Sequence, residues 1–479
     1  MKKISLIATL LSFACFNVFG QDDWEGAWHG KIEMANLRLV FNIKNAGSGT
    51  ILATMDSPDQ SAFGIVLESA SVAGDSIFIN DARFSISFTG KKINDSTING
   101  VFTQGMEIPL VLKRSSTGAT ASKPTIKKQT PVPPFPYKSE EVTFENTKAG
   151  IKLSGTLTIP KETNGKGYPA VVLISGSGPQ DRDETLMGHK PFAVIADHLT
   201  RLGMMVLRYD DRGTGSSTGD FSSATSLDFK TDAEAAVHFL SKRKDVDLKK
   251  IGLLGHSEGG LIAPLVANEN KNVNFIILLA GPGVPVSQLM REQNVSILKR
   301  QGVDTGAADA YGKLYSDVIS IVRSSTPHEE KIDKVMDVAR GWEKEQPSGR
   351  AKALGLHGEQ WQKNFAQQMV DQTSGKWMQY FLNYDPQPAL KKLKIKVLAL
   401  NGDKDSQVVG ESNLAAIETA LEQSGSPAYK VVSLPGLNHL FQNCTTCTVA
   451  EYGALEETIS PAALSEISTW LKEENIFRK

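Results

Sequence analysis

Three side chains in the C-terminal two-thirds of this sequence could together perform nucleophilic acyl chemistry. Gly255-His256-Ser257-Glu258-Gly259 follows the apolar run IGLLG and precedes the helix-like stretch LIAPLVANE. Gly-x-Ser-x-Gly at a strand-to-helix junction predicts a sharp turn with the serine at its apex. The glycines let the backbone fold without collision, and Ser257 stands at a helix N-terminus whose dipole favours developing negative charge. Ser257 therefore reads as a nucleophile rather than a turn residue. A free hydroxyl is a poor nucleophile at neutral pH and needs a base. Beyond Ser257 the histidines are His328, His357 and His439. The first two fall in a polar helical stretch, whereas His439 follows a predicted strand and turn, YKVVSLPGLN, and is the expected base. The acid is expected after the apolar run VLALNG, where Asp403 and Asp405 compete. Spacing favours Asp405, which would hold the His439 tautomer and stabilise its imidazolium. Asp403 reads as a turn residue.

A tetrahedral oxyanion needs backbone N–H donors. Ser175-Gly176-Ser177-Gly178-Pro179-Gln180-Asp181-Arg182-Asp183 follows the run AVVLI, and its small residues suit that task. The expected donors are Ser177, with Gly178 as the alternative, and Glu258, the residue after the nucleophile. Other motifs read as structural. Asp210-Asp211-Arg212-Gly213-Thr214-Gly215 lacks the Lys-Ser/Thr of a phosphate loop, and its acids would repel phosphate. It reads as a brace made by an Asp-Arg ion pair, as do Asp181, Arg182 and Asp183, with Arg182 a secondary candidate for substrate contact. Cys444-Thr445-Thr446-Cys447 lies just past His439. A local disulfide is expected there, with a free thiol pair as the alternative, and no histidine spacing supports a zinc site.

These residues must be positioned by a scaffold. From about 137 onward, EEVTFENT and KLSGTLTIP read as a hairpin. PAVVLISG, GMMVLRYD, KKIGLLGH, VNFIILLAG and KIKVLALNG are continuous apolar runs, the mark of strands buried on both faces of a parallel sheet. Helical stretches near 191–203, 226–243 and 259–269 alternate with them, so helices wrap the sheet. Residues 284–388 break the rhythm and read as a helical cap inserted in the catalytic domain, 137–479. Residues 21–114 alternate apolar and polar side chains in short runs punctuated by Gly, Asn, Asp and Pro. They predict a small all-β barrel or meander of six to eight strands without visible chemistry. Within it, Gly26-Ala27-Trp28 resembles the opening of lipocalin-like barrels, and Trp28 reads as a core aromatic. Residues 115–136 are a Ser-, Thr-, Lys- and Pro-rich linker, extended at its proline end.

The composition narrows the class further. The 479 residues carry 52 Lys+Arg against 53 Asp+Glu, with 40% hydrophobic residues. That balance excludes a typical nucleic-acid partner and a disordered chain. Residues 1–20 have a basic start at Lys2 and Lys3, an apolar stretch too short to span a bilayer, and Val18 and Gly20 before a cut at Gln21. They predict a signal peptide and a secreted or periplasmic mature chain with no integral membrane segment. Cys15 raises a lipoprotein reading, against which Ser12 stands. The mature chain would keep only Cys444 and Cys447.

GHSEGG at 255–260, the Asp405 loop and Asn438-His439 together resemble the α/β-hydrolase superfamily over about residues 138–479. SGSGPQDRDE, RYDDRGTGSS and NHLFQ resemble bacterial secreted carboxylesterases, a group close to the serine-aminopeptidase-like hydrolases. The resemblance implies hydrolysis of a small-molecule ester by Ser257, Asp405 and His439 under a helical cap, without cofactor or metal. The β-rich first domain and the CxxC depart from the pattern. Two rival functions stand beside it: an aminopeptidase-like serine peptidase, whose amine pocket would draw on cap acids such as Glu329, Glu330, Glu343 and Glu345, and a non-catalytic glycan- or lipid-binding protein.

Overall fold

The computed structural model describes residues 24–32, 37–45, 51–57, 62–81, 86–104, 107–114, 127–161, 167–347, 349–353 and 355–477. The leader expected over residues 1–20, Cys15 included, and the linker residues 115–126 lie outside the described residues. The chain divides into two compact units, Met1–Lys123 and Pro124–Lys479.

The first unit is one antiparallel sheet of strands β1 (Gly26–Ile32), β2 (Leu37–Asn45), β3 (Ile51–Ser57), β4 (Ala62–Val66), β5 (Ser69–Ala73), β6 (Ser76–Asp81), β7 (Ile86–Asn94), β8 (Thr97–Gln104) and β9 (Glu107–Arg114). The order is β4-β3-β2-β1-β9-β8-β7-β6-β5, a meander that returns on itself through the β1–β9 pairing. Alternation puts Trp28, Phe41, Ile77, Phe88, Ile98 and Phe102 into one buried face. Trp28 is fully enclosed, donates to the Trp24 carbonyl at 2.9 Å and carries the Arg114 guanidinium over its ring. Nine strands exceed the six to eight expected. The run GIVLESASVAG contains a break at Leu67-Glu68 and contributes both β4 and β5.

The second unit begins with residues held against its own C-terminal part. Lys127 Nζ donates to the carbonyls of Gly453 and Leu455, and Gln129 Nε2 to that of Ile459. The chain then runs through β10 (Lys138–Asn146), β11 (Ile151–Ile159), β12 (Tyr168–Ile174), α1 (Pro191–Arg201), β13 (Met205–Tyr209), α2 (Ser226–Ser241), β14 (Val246–His256), α3 (Glu258–Glu269) and β15 (Val273–Leu279). Six helices follow, α4 (Val286–Arg300), α5 (Thr305–Val322), α6 (His328–Glu345), α7 (Arg350–Ala353), α8 (Glu359–Thr373) and α9 (Lys376–Asn383). The unit closes with α10 (Gln387–Lys391), β16 (Lys396–Gly402), α11 (Gly410–Glu422), β17 (Tyr429–Leu434) and α12 (Pro461–Glu473).

The sheet order is β10-β11-β13-β12-β14-β15-β16-β17. The β10–β11 hairpin is antiparallel, as is β11 against β13, and every later pairing is parallel. Both faces are covered, which is why the inner strands carry continuous apolar runs. Ala170, Val172 and Ile174 of β12 face a core shared with α2, α3 and α11, while Val171 and Leu173 face one shared with α1 and α12. The helices between β15 and β16 have their own core, built on Leu314, Val318, Val335, Trp342 and Phe365. Among the described residues no helix is long and apolar enough to cross a membrane.

Candidate active site

The parallel strands all end on one side, and the loops that leave them there carry the chemically distinctive residues, as expected of an open α/β sheet. At the end of β14 the backbone turns at Ser257 with φ 52° and ψ −116°, and α3 starts at the next residue. A left-handed φ on a serine is strain that only its surroundings can hold. Here the Ser257 N–H donates to the Leu279 carbonyl at 2.8 Å, and the Ser257 carbonyl accepts from Gly260 N–H at 2.9 Å. The glycines are sterically required. A Cβ on Gly255 would meet the Gly259 carbonyl oxygen at 2.0 Å, and one on Gly259 would meet that of Ile174 at 2.1 Å.

Asp405 leaves the end of β16, and His439 the loop after β17. His439 Nδ1 lies 2.8 Å from Asp405 Oδ2, both buried. The carboxylate is fixed on every side. Its Oδ1 accepts from the N–H groups of Gln407 (2.8 Å) and Val408 (2.9 Å), and its Oδ2 also accepts from Asn401 Nδ2 at 3.1 Å. Asp403 instead accepts from Gly436 N–H at 2.6 Å and pairs with Lys404, which makes it a turn residue. The His439 loop is set by Asn438, whose side-chain oxygen accepts from the N–H groups of Leu440 and Gln442.

Ser257, His439, Ser177 and Glu258 line one cavity of about 400 Å³. Gly176 N–H already donates to Glu184 Oε1 at 2.7 Å. Apolar side chains form much of the remaining wall: Leu289 and Met290 from α4, Trp377 and Phe381 from α9, and Leu440 and Val449 beyond β17. The wall includes two carboxyl groups, each engaged through its Oε1, and Glu258 Oε2 is buried without a hydrogen-bond partner. Glu184 binds His256 and Gly176. Glu258 Oε1 accepts from Ser226 Oγ and from Trp377 Nε1 at 2.9 Å, and burial pushes its carboxyl up from the usual range. Glu329, Glu330, Glu343 and Glu345 do not line the cavity, and Glu343 is bonded to Gly358 and Gln362.

The acidic loops beside the cavity are braces. Arg182 pairs with Asp210 at 2.8 Å and with Glu141, and it is not part of the cavity wall. Asp211 accepts from Ser175 Oγ and Gln180 N–H, and Arg212 pairs with Asp232 at 2.7 Å. Cys444 and Cys447 are disulfide-bonded, and Glu451 accepts from the N–H groups of Thr445, Thr446 and Cys447 around them. Sequence reasoning missed Glu184, His256, Asn401 and Trp377. Only His256 carried a signal, as the residue between the elbow's first glycine and its serine.

The sheet order, the crossover helices and the strained serine turn define the class: the fold is that of the α/β-hydrolases, and the likenesses below support a hydrolase. The sequence profile described as serine aminopeptidase, S33, matches residues 189–320. The chain is similar to esterase EstD of Thermotoga maritima, 26% identical over 342 residues that span 71% of this chain and 69% of the relative. Among solved structures it is similar to a hypothetical protein, PA2218, of Pseudomonas aeruginosa (18% identity, 73% of this chain and 97% of that one, TM-score 0.43). It is also similar to the esterase Pf2001 of Pyrococcus furiosus (17% identity, 71% and 91%, TM-score 0.40).

Proposed function

We propose that the protein is a serine carboxylesterase. Ser257 Oγ attacks the ester carbonyl while His439 Nε2 takes its proton. The tetrahedral oxyanion is held by the N–H groups of Ser177 and Glu258, whose loss would each cost about 2.7–4 kcal/mol. Collapse expels the alcohol, which receives the proton from His439, and leaves an acyl-Ser257 ester. Water, deprotonated by His439, then releases the carboxylic acid. Asp405 keeps the Nδ1–H tautomer and stabilises the imidazolium. Helices α4–α9 act as the cap, with α4 and α9 shaping the pocket. The reading needs no cofactor, and export is proposed with it from residues 1–20.

The observation that favours esters over peptides is the wall of the cavity. An aminopeptidase must hold a substrate ammonium beside the scissile bond, whereas this wall is mainly apolar and its two carboxyl groups are Glu184, paired with His256, and Glu258, buried and held through Oε1 by Ser226 and Trp377. The name of the relative EstD agrees. Purified protein should hydrolyse nitrophenyl acyl esters and leave aminoacyl nitroanilides untouched. Turnover of the anilides alone would establish the peptidase reading, and ester hydrolysis undiminished in Ser257→Ala would remove the catalytic role of the serine.

A further inference from the structure

His256 sits behind the proposed triad, and each of its ring nitrogens has one partner. Nε2 lies 3.1 Å from the main-chain carbonyl of His439. Nδ1 lies 2.9 Å from Glu184 Oε1, the same oxygen that accepts Gly176 N–H at 2.7 Å. A carbonyl only accepts, so Nε2 carries a hydrogen. A carboxylate only accepts, so Nδ1 carries one too. The geometry is that of an imidazolium paired with a carboxylate. The chain of contacts runs from the loop after β12, through the serine elbow, to the loop after β17. Three segments far apart in sequence thus meet on one ion pair, buried at both ends. Glu184 keeps a left-handed φ of 51° to reach it.

We propose that Glu184 and His256 are positioning residues, a charged strut that fixes the main chain of His439 and the oxyanion loop relative to Ser257. The inference rests on the esterase reading of Ser257 and His439 and adds to it two residues that act through the groups they hold in place. Losing the His256 charge breaks the strut in a definite way. A neutral ring would keep Nε2–H on the His439 carbonyl and turn a lone pair toward Glu184. The carboxylate would then move away and release Gly176. The charged and titratable groups around the ring are Glu184, Asp405 and His439, whose ring centre is 4.9 Å away. The rest of the packing is apolar, from Phe192 and Ile195 of α1, Leu279 of β15, and Leu440 and Phe441. Burial disfavours the imidazolium, but the Glu184 carboxylate, with the His439 carbonyl and Asp405, outweighs it and holds His256 above the ordinary histidine range. Activity should therefore have an alkaline limb that belongs to His256.

The test uses the full chain and the variants Glu184→Ala and Glu184→Gln, with circular dichroism to establish folding. Glu184→Ala should lower kcat for a nitrophenyl ester more than tenfold with KM within about threefold. Glu184→Gln can accept Gly176 N–H and donate to a neutral His256, so it should recover part of that loss and lack the alkaline limb. Histidine-selective ¹⁵N NMR without substrate, with His256→Asn assigning the signals, should show two proton-bearing ring nitrogens on His256 at pH 7. A singly protonated His256 at pH 7 overturns the proposal, and so does an unchanged alkaline limb in Glu184→Gln or an unchanged kcat in Glu184→Ala. The NMR result stands apart from turnover: wild-type protein inert on all esters defeats the esterase reading, whereas the ring's charge state judges the strut.

Discussion

Replacing Asp405 by asparagine exchanges one oxygen for an NH2 group, and the structure dictates which one. Asp405 Oδ1 accepts two main-chain N–H groups, from Gln407 and Val408. Main-chain donors cannot change their nature, so the amide oxygen must take that place. The NH2 then occupies the Oδ2 position, facing Asn401 Nδ2 at 3.1 Å and His439 Nδ1 at 2.8 Å. It meets one donor it cannot satisfy and donates to Nδ1. That locks the proton of His439 on Nε2, the nitrogen that receives the Ser257 proton in the proposed mechanism. The same substitution in a Ser-His-Asp triad lowers kcat about 10⁴-fold through the wrong tautomer, or about 5.4 kcal/mol. The donor–donor contact adds a stability cost of about 1–3 kcal/mol. The assay is kcat on a nitrophenyl acyl ester at saturating substrate, beside a urea melt showing the variant folded. A folded Asp405→Asn protein within tenfold of wild-type kcat would refute the tautomer argument, because the amide has no alternative orientation that leaves both N–H groups paired.

Other consequences are open to measurement. Gly259→Ala places a methyl against two main-chain oxygens, of Ile174 and Ser175, and should destabilise the unit by about 3 kcal/mol or more in a urea melt. A wild-type midpoint would mean that the elbow can relax. Trp377→Phe keeps a ring in the cavity wall but removes a hydrogen bond from Glu258. It should cost about 1–3 kcal/mol and raise KM several-fold with kcat largely kept. A change confined to kcat would place Trp377 in the chemistry. The raised His256 value also links stability to pH. The Glu184–His256 contribution is fully present below about pH 6.5, the unfolded histidine value, and is lost as pH rises through the folded value. Urea midpoints of wild type and Glu184→Gln should converge over that rise, and parallel curves would contradict the sign.

The parts of the site legible in the sequence are those whose demands are local. Two glycines flank Ser257 because backbone atoms lie about 2 Å from where their Cβ atoms would be, and that constraint is written within five residues. Asp405 separates from Asp403 by its distance from the strand end, since a residue at the first turn pairs with the neighbouring loop at Gly436 and cannot also reach His439. The parallel strands are legible because burial on both faces leaves runs of several consecutive apolar residues in each. Glu184, Asn401 and Trp377 were not legible. Each acts across 4 to 119 positions on a partner that only the fold supplies, so their types alone read as a loop acid, a strand-end amide and a helix aromatic. The β-unit exceeds the expected count because GIVLESASVAG reads as one run, although its inward positions shift from Ile65 and Leu67 to Ala70 and Val72 across Glu68-Ser69, where the strand partner changes.

The most direct test of the proposed catalysis is to trap the nucleophile. Full-length protein is incubated with a fluorophosphonate, which forms a stable tetrahedral adduct with an activated serine, and the modified peptide is located by mass spectrometry. A single adduct on Ser257, abolished in Ser257→Ala and slowed in His439→Ala, is the predicted result. An adduct on another residue, or none on a preparation that still hydrolyses nitrophenyl esters, would contradict it.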